Sequence, residues 1–123
     1  MQIRKLLDLI AVIAASIAHF VSGFTIVNIG RVHSRLFSEM DMELPLISTL
    51  SASYTGTVAP IVAGVALALA TLVGLGLVLR SERQRWMLPF LLALSFVAVI
   101  LHIVFVSFSV TLPLMRITYT MGQ

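Results

Sequence analysis

The sequence predicts an all-α integral membrane protein: three transmembrane helices joined by a short amphipathic helical outer loop. Three observations carry that reading. Formal charge is absent from Leu9 to Gly30, from Leu44 to Leu79 and from Trp86 to Met115. Each run exceeds the ~20 apolar residues that a helix needs to cross a hydrocarbon core of about 30 Å. Composition agrees, since 59% of the 123 residues are hydrophobic and 11% are charged, against about 25% charged in soluble domains. Finally, Lys and Arg gather at the ends of the apolar runs, where they act as topology signals. Spans at about 6–29, 57–79 and 88–112 with an outer loop at 31–56 leave room for a single domain, 1–123.

The first span carries Asp8 in its first turn, where a negative charge suits the helix dipole. Arg4, Lys5 and the apolar run after them resemble the start of a signal peptide, with Ser16-Ile17-Ala18 at plausible cleavage positions. The run continues through Phe20, Val21, Phe24, Ile26 and Val27, about twice the usual signal core, so the expectation is a retained helix. The second span opens with Pro60 and the third with Pro89, both tolerated in a first helical turn. Pro113 is expected to end the third.

Five cations (Arg4, Lys5, Arg80, Arg83, Arg85) fall on one side and three (Arg31, Arg35, Arg116) on the other. The Lys/Arg bias puts the N-terminus inside and the C-terminus outside, in a bacterial inner membrane. Within the outer loop, Val32, Leu36, Met40 and Leu44 recur every four residues beside a charged row of Arg31, Arg35, Glu39 and Glu43. That pattern predicts a short amphipathic helix, broken or bent at Pro45. Leu46, Ile47, Leu50 and Tyr54 follow as a second apolar helical face leading into the second span.

Small residues line the spans. Ala66, Ala70 and Gly74 form one ridge on the second, with Gly64, Ala68 and Gly76 on the adjacent row. The first repeats the theme with Ala11, Ala15 and Gly23, and with Ala14, Ala18 and Ser22. Small residues let helices approach closely in lipid, so these ridges serve either packing within the monomer or docking of another subunit.

His19 and His102 stand near the middle of parallel spans. His19 is surrounded by Ala15, Ser16, Ser22 and Gly23, and His102 shares a face with Ser95, Ala98 and Ser109. Intramembrane ionisable groups point to function, and two facing imidazoles can ligate the iron of haem b. Counted from their helix starts, their depths differ by only ~5 Å. The alternatives are packing histidines hydrogen-bonded to neighbouring helices, or a proton- or quinone-related role. His33 lies in the charged loop.

Other chemistry is missing. There is no cysteine, and so no disulfide or thiolate site. Glu39, Asp41 and Glu43 alternate, which suits neither acid–base work nor a calcium loop with its glycine turn. Gly74 and Gly76 sit inside an apolar span and form no phosphate loop. The basic balance reports topology, not nucleic acid, and the partners expected are the bilayer, other membrane subunits or a second copy.

The stretch Leu36-Phe37-Ser38-Glu39-Met40-Asp41-Met42-Glu43-Leu44-Pro45-Leu46-Ile47-Ser48-Thr49-Leu50 resembles the general secretion pathway F family, the inner-membrane assembly platform that includes the PilC protein of type IV pili. Phe37, Glu43, Leu44, Pro45 and Ser48 or Thr49 carry the likeness, and Thr111-Leu112-Pro113-Leu114-Met115 is similar to the close of that family's last span. The resemblance implies a secretion-system F-like membrane portion. It departs from the family between the second and third spans, where only Ser81-Glu82-Arg83-Gln84-Arg85 replaces a soluble domain. The expected function is a non-enzymatic accessory or interaction subunit of a larger membrane complex. Ala66, Ala70, Gly74, Phe37, Leu44 and Pro45 are the expected contact residues. The alternatives are a haem- or quinone-associated electron-transfer subunit using His19 and His102, and a holin-like pore, although no basic cluster follows Arg116.

Overall fold

The computed structural model describes residues 2–41, 43 and 46–122, with side chains at all of these except Ile47 and 116–121. Its elements are α1 (Gln2–Glu39), α2 (Leu46–Thr55), α3 (Ala59–Arg80), a single 3₁₀ turn (Arg85–Met87) and α4 (Leu88–Met121). No strand occurs among the described residues. Three helices, α1, α3 and α4, are long and apolar enough to cross a membrane.

Two boundaries differ from the sequence expectation. The charged row from Arg31 to Glu39 does not form a separate helix but continues α1, which reaches 38 residues or about 57 Å. A turn at Met40–Asp41 ends it, with Asp41 at φ 48°, a left-handed conformation that Asp tolerates better than most side chains. At the other end of the chain, α4 does not stop at Pro113 but carries it inside the helix.

The core is organised around α1. In its most apolar stretch 44% of residues are buried, against 11% in α3 and in α4, so the other two helices lean on α1 more than on each other. The α1–α3 crossing is a backbone contact. A Cβ added to Gly64 would lie 2.8 Å from the His19 carbonyl oxygen and 3.2 Å from the Gly23 Cα, and one added to Gly23 would strike the Pro60 carbonyl. Gly30 is covered in the same way by Thr55 of α2. Only glycine at these positions lets the two backbones come this close. Toward the α3–α4 hairpin, Val12, Leu75 and Leu88 close the bundle, with Val78, Leu79, Leu91 and Leu92 packed round them. Arg85 reaches α1 there, its Nε and Nη2 donating to Asp8 Oδ2 at 3.1 and 2.5 Å.

The glycine crossing gives a matched pair of variants. Gly64→Ala forces backbone apart and should cost about 1–3 kcal/mol. Gly74→Ala adds its methyl to open space and should leave stability unchanged or slightly raised, through helix propensity. Denaturant titration of helicity in mixed micelles measures both.

Candidate functional site

Ser95, His102 and Ser109 recur on α4 every seven residues, and this spacing keeps three polar groups on one face of a left-handed helix pair. Each meets a different partner. Ser95 Oγ is 2.8 Å from His19 Nε2 of α1. His102 Nε2 is 2.9 Å from the Tyr54 hydroxyl of α2, whose ring tilts against the imidazole. Ser109 Oγ is 2.8 Å from Ser51 Oγ and 2.9 Å from the Val106 carbonyl oxygen. A hydroxyl has one proton to donate, so Ser109 satisfies Val106 while accepting from Ser51. As the numbers rise along α2 they fall along α4, and the two helices are antiparallel.

Pro113 explains how α2 is held. A proline inside a helix removes the hydrogen bond to the carbonyl four residues back, here that of Ser109. Ser48 Oγ of α2 donates to this carbonyl at 2.7 Å. Ser109 is buried, and a buried carbonyl freed in this way costs about 1–3 kcal/mol unless a neighbouring side chain satisfies it. The hydroxyl from α2 does so, and α4 runs on past the proline. The inward face of α2 is therefore polar, with Ser48, Ser51 and Thr55 buried. Leu46 and Leu50, two residues of the expected apolar face, point away from the bundle and are 76% and 63% exposed. Burial raises the pKa of the Tyr54 phenol above its ordinary value, so it remains protonated at neutral pH. Among the described residues no buried side-chain nitrogen or oxygen lacks a partner.

The two histidines do not face one another. His19 is buried at the level of Ser95, and His102 stands seven residues further along α4, about 10 Å in a helix, not the ~5 Å inferred by counting from helix starts. They border different spaces. His19 forms the floor of a groove of about 440 Å³ between α3 and α4, walled by Leu67, Ala70, Gly74, Leu91, Leu94 and Ala98 among others. His102 lines a second groove of about 390 Å³ with Tyr54, Leu50, Ser51, Phe105 and Val106. With each Nε2 hydrogen-bonded and the rings opening on separate grooves, this arrangement does not fit a haem held between them. Among the described residues no three His, Asp or Glu side chains converge on a metal site.

The small-residue ridges divide. Gly23, Gly64, Ala15 and Ser22 are buried within the bundle, whereas Ala66, Ala70 and Gly74 are exposed, the last two on the wall of the His19 groove. Phe37 is buried near the end of α1. Leu44 and Pro45 lie outside the described residues. The sequence placed Tyr54 on an apolar helical face and Ser48 only among the residues of the family resemblance, with no hydrogen-bonding role for either. The signal was available in the seven-residue polar repeat and in a proline four residues after one of its members.

Comparison of the chain with protein-family models, with curated proteins and with solved structures finds no match. The likeness to the secretion F family therefore rests on the residues that carry it in the sequence.

Ser48→Ala should orphan the Ser109 carbonyl and cost about 1–3 kcal/mol. Pro113→Ala restores the intrahelical bond, so Ser48→Ala should cost measurably less in that background. A double-mutant cycle on unfolding free energies reads the coupling. Tyr54→Phe, which breaks one rung, should cost roughly 0.6–1.7 kcal/mol.

Proposed function

We propose that the chain is a multi-pass protein of a bacterial inner membrane, N-terminus inside and C-terminus outside. In this reading it is a non-enzymatic subunit that packs against a larger membrane complex. The spanning itself is supported by the outward face of all three long helices, where Leu, Ile, Val and Phe stand exposed from Ile3 to Met115. The same surface in water would be an aggregation hazard.

One observation carries the subunit role. The groove between α3 and α4 is apolar, and its α3 wall presents Ala70 and Gly74, with nothing within 4 Å of a Cβ built on Gly74. Residues of this size are spent inside the bundle at Gly23 and Gly64, where backbones touch. On the groove wall they leave the backbone open to a second helix, which would bury it as Gly64 buries Gly23. Among the described residues the buried polar side chains stay hydrogen-bonded within the chain, which favours a packing partner over a reacting substrate. A secretion-type assembly platform is a complex of the fitting kind, suggested by the stretch 36–50.

The chain has no cysteine, so single-cysteine variants report contacts without background. Ala70→Cys and Gly74→Cys should cross-link to a neighbouring membrane protein or a second copy in native membranes, while Leu69→Cys, 58% exposed and off the groove, should not. Ala70→Leu should abolish the cross-link from position 74 without unfolding the monomer. Monomer alone from both groove positions would remove the reading.

A further inference from the structure

The formal net charge of +3 belongs entirely to one end of the molecule. At the far end Arg31, Arg35 and Arg116 are balanced by Glu39, Asp41 and Glu43. At the hairpin end Arg4, Lys5, Arg80, Arg83 and Arg85 meet only Asp8 and Glu82. The structure shapes that excess into a cavity of about 350 Å³, lined by Arg4, Asp8, Arg85, Trp86, Leu88 and Pro89. Asp8 is already engaged, since both of its recorded contacts come from Arg85. Arg4 borders the same cavity with no carboxylate partner among the described residues. The lining thus holds two guanidiniums and one carboxylate, a surplus of one positive charge. Below the charges lie Leu88, Pro89 and the start of an apolar helix. Beside them Trp86 is 78% exposed, with an indole N–H to donate and a ring of the kind that settles at headgroup level.

From these features we infer that the cavity binds the headgroup of an anionic phospholipid. The inference rests on the reading that the helices span a bilayer with this end inside. The phosphodiester carries the single negative charge that the lining lacks. Arg4 and the outer edge of Arg85 supply charge-assisted donors, and the acyl chains lie along the exposed flank of α4 below Trp86. A headgroup that adds its own ammonium would bring a cation toward Arg4 and Lys5 and is disfavoured. Basic pockets between helices at the cytoplasmic face suit anionic headgroups on general electrostatic grounds, at about 1 kcal/mol per Lys or Arg near the surface.

Trp86 is the sole tryptophan, so tryptophan fluorescence reports from the edge of this cavity, and the Arg4→Gln comparison separates the cavity from surrounding lipid. The full chain is reconstituted in phosphatidylcholine vesicles containing either brominated phosphatidylglycerol or brominated phosphatidylcholine, and quenching gives the relative affinity at the site. The wild type should prefer phosphatidylglycerol, and Arg4→Gln should reduce that preference about fivefold. Arg31→Gln, at the opposite end of α1, should not change it. Asp8→Asn removes the competing carboxylate and should strengthen the preference, a direction that mere loss of the ion pair would not produce. Equal quenching by the two lipids, or an unchanged preference in Arg4→Gln, overturns the inference. So does loss of the preference in inorganic phosphate but not in chloride of matched ionic strength, which would assign the cavity to free phosphate. Labelling of Arg31→Cys and Arg83→Cys with an impermeant maleimide in bacterial spheroplasts separates the two levels of failure. Reaction at position 31 alone, with no lipid preference, sinks only the headgroup site; reaction at both sinks the spanning reading with it.

Discussion

The hydrogen bond from Ser48 to the carbonyl of Ser109 is the contact on which the α2–α4 half of the fold depends. It exists because Pro113 has no N–H to give that carbonyl. Without it α4 would carry an unpaired buried carbonyl, and α2 would lose one of its anchors. With it, a helix-breaking residue becomes the docking point for another helix. Ser51 and Tyr54 then follow down the same face of α4 onto Ser109 and His102. The polar face of α2 looks inward and its leucines outward, the reverse of an amphipathic helix in a soluble core.

The half nearer the α3–α4 hairpin is built on a different principle. There α1 and α3 meet through glycine, with His19 and Gly23 presenting backbone to Gly64. Polar side chains contribute one specific link, His19 to Ser95, which ties α4 into the same layer. The Asp8–Arg85 pair fastens the hairpin end, but both side chains remain 22–25% exposed, and an ion pair that wet contributes little to stability. Its larger effect is local, because it neutralises the carboxylate in an otherwise cationic cavity.

The three long helices were legible because a stretch without charge over more than 20 residues has few alternatives in a chain this apolar. The continuation of α1 to Glu39 was not. Charge marks the end of a span, so the row from Arg31 reads as a separate amphipathic helix, although nothing between Gly30 and Glu39 breaks a helix until Asp41 turns the chain. The polar repeat of Ser95, His102 and Ser109 could be seen on one face of α4, but its partners could not, since they belong to helices whose rotation no single sequence fixes. The histidine pair shows the cost of that ignorance. Both rings do point inward, yet the relative shift of α1 against α4 sends each to a separate hydroxyl. Small residues misled in a similar way: spacing identified the ridges, and only the packing showed that Gly64 touches a backbone while Gly74 touches nothing.

The rungs on α4 also impose an order on biogenesis. Residues 48–54 emerge from the ribosome well before residues 102–109, so Ser48, Ser51 and Tyr54 are made before their partners on α4 exist, while Thr55 already has α1 and its own backbone. In the proposed spanning reading, Ser48, Ser51, Tyr54 and His19 must find water, their own backbone or the insertion machinery until α4 joins them. On that reading α4 completes the helices made before it, and α2 settles only once residues 95–109 have reached the bundle.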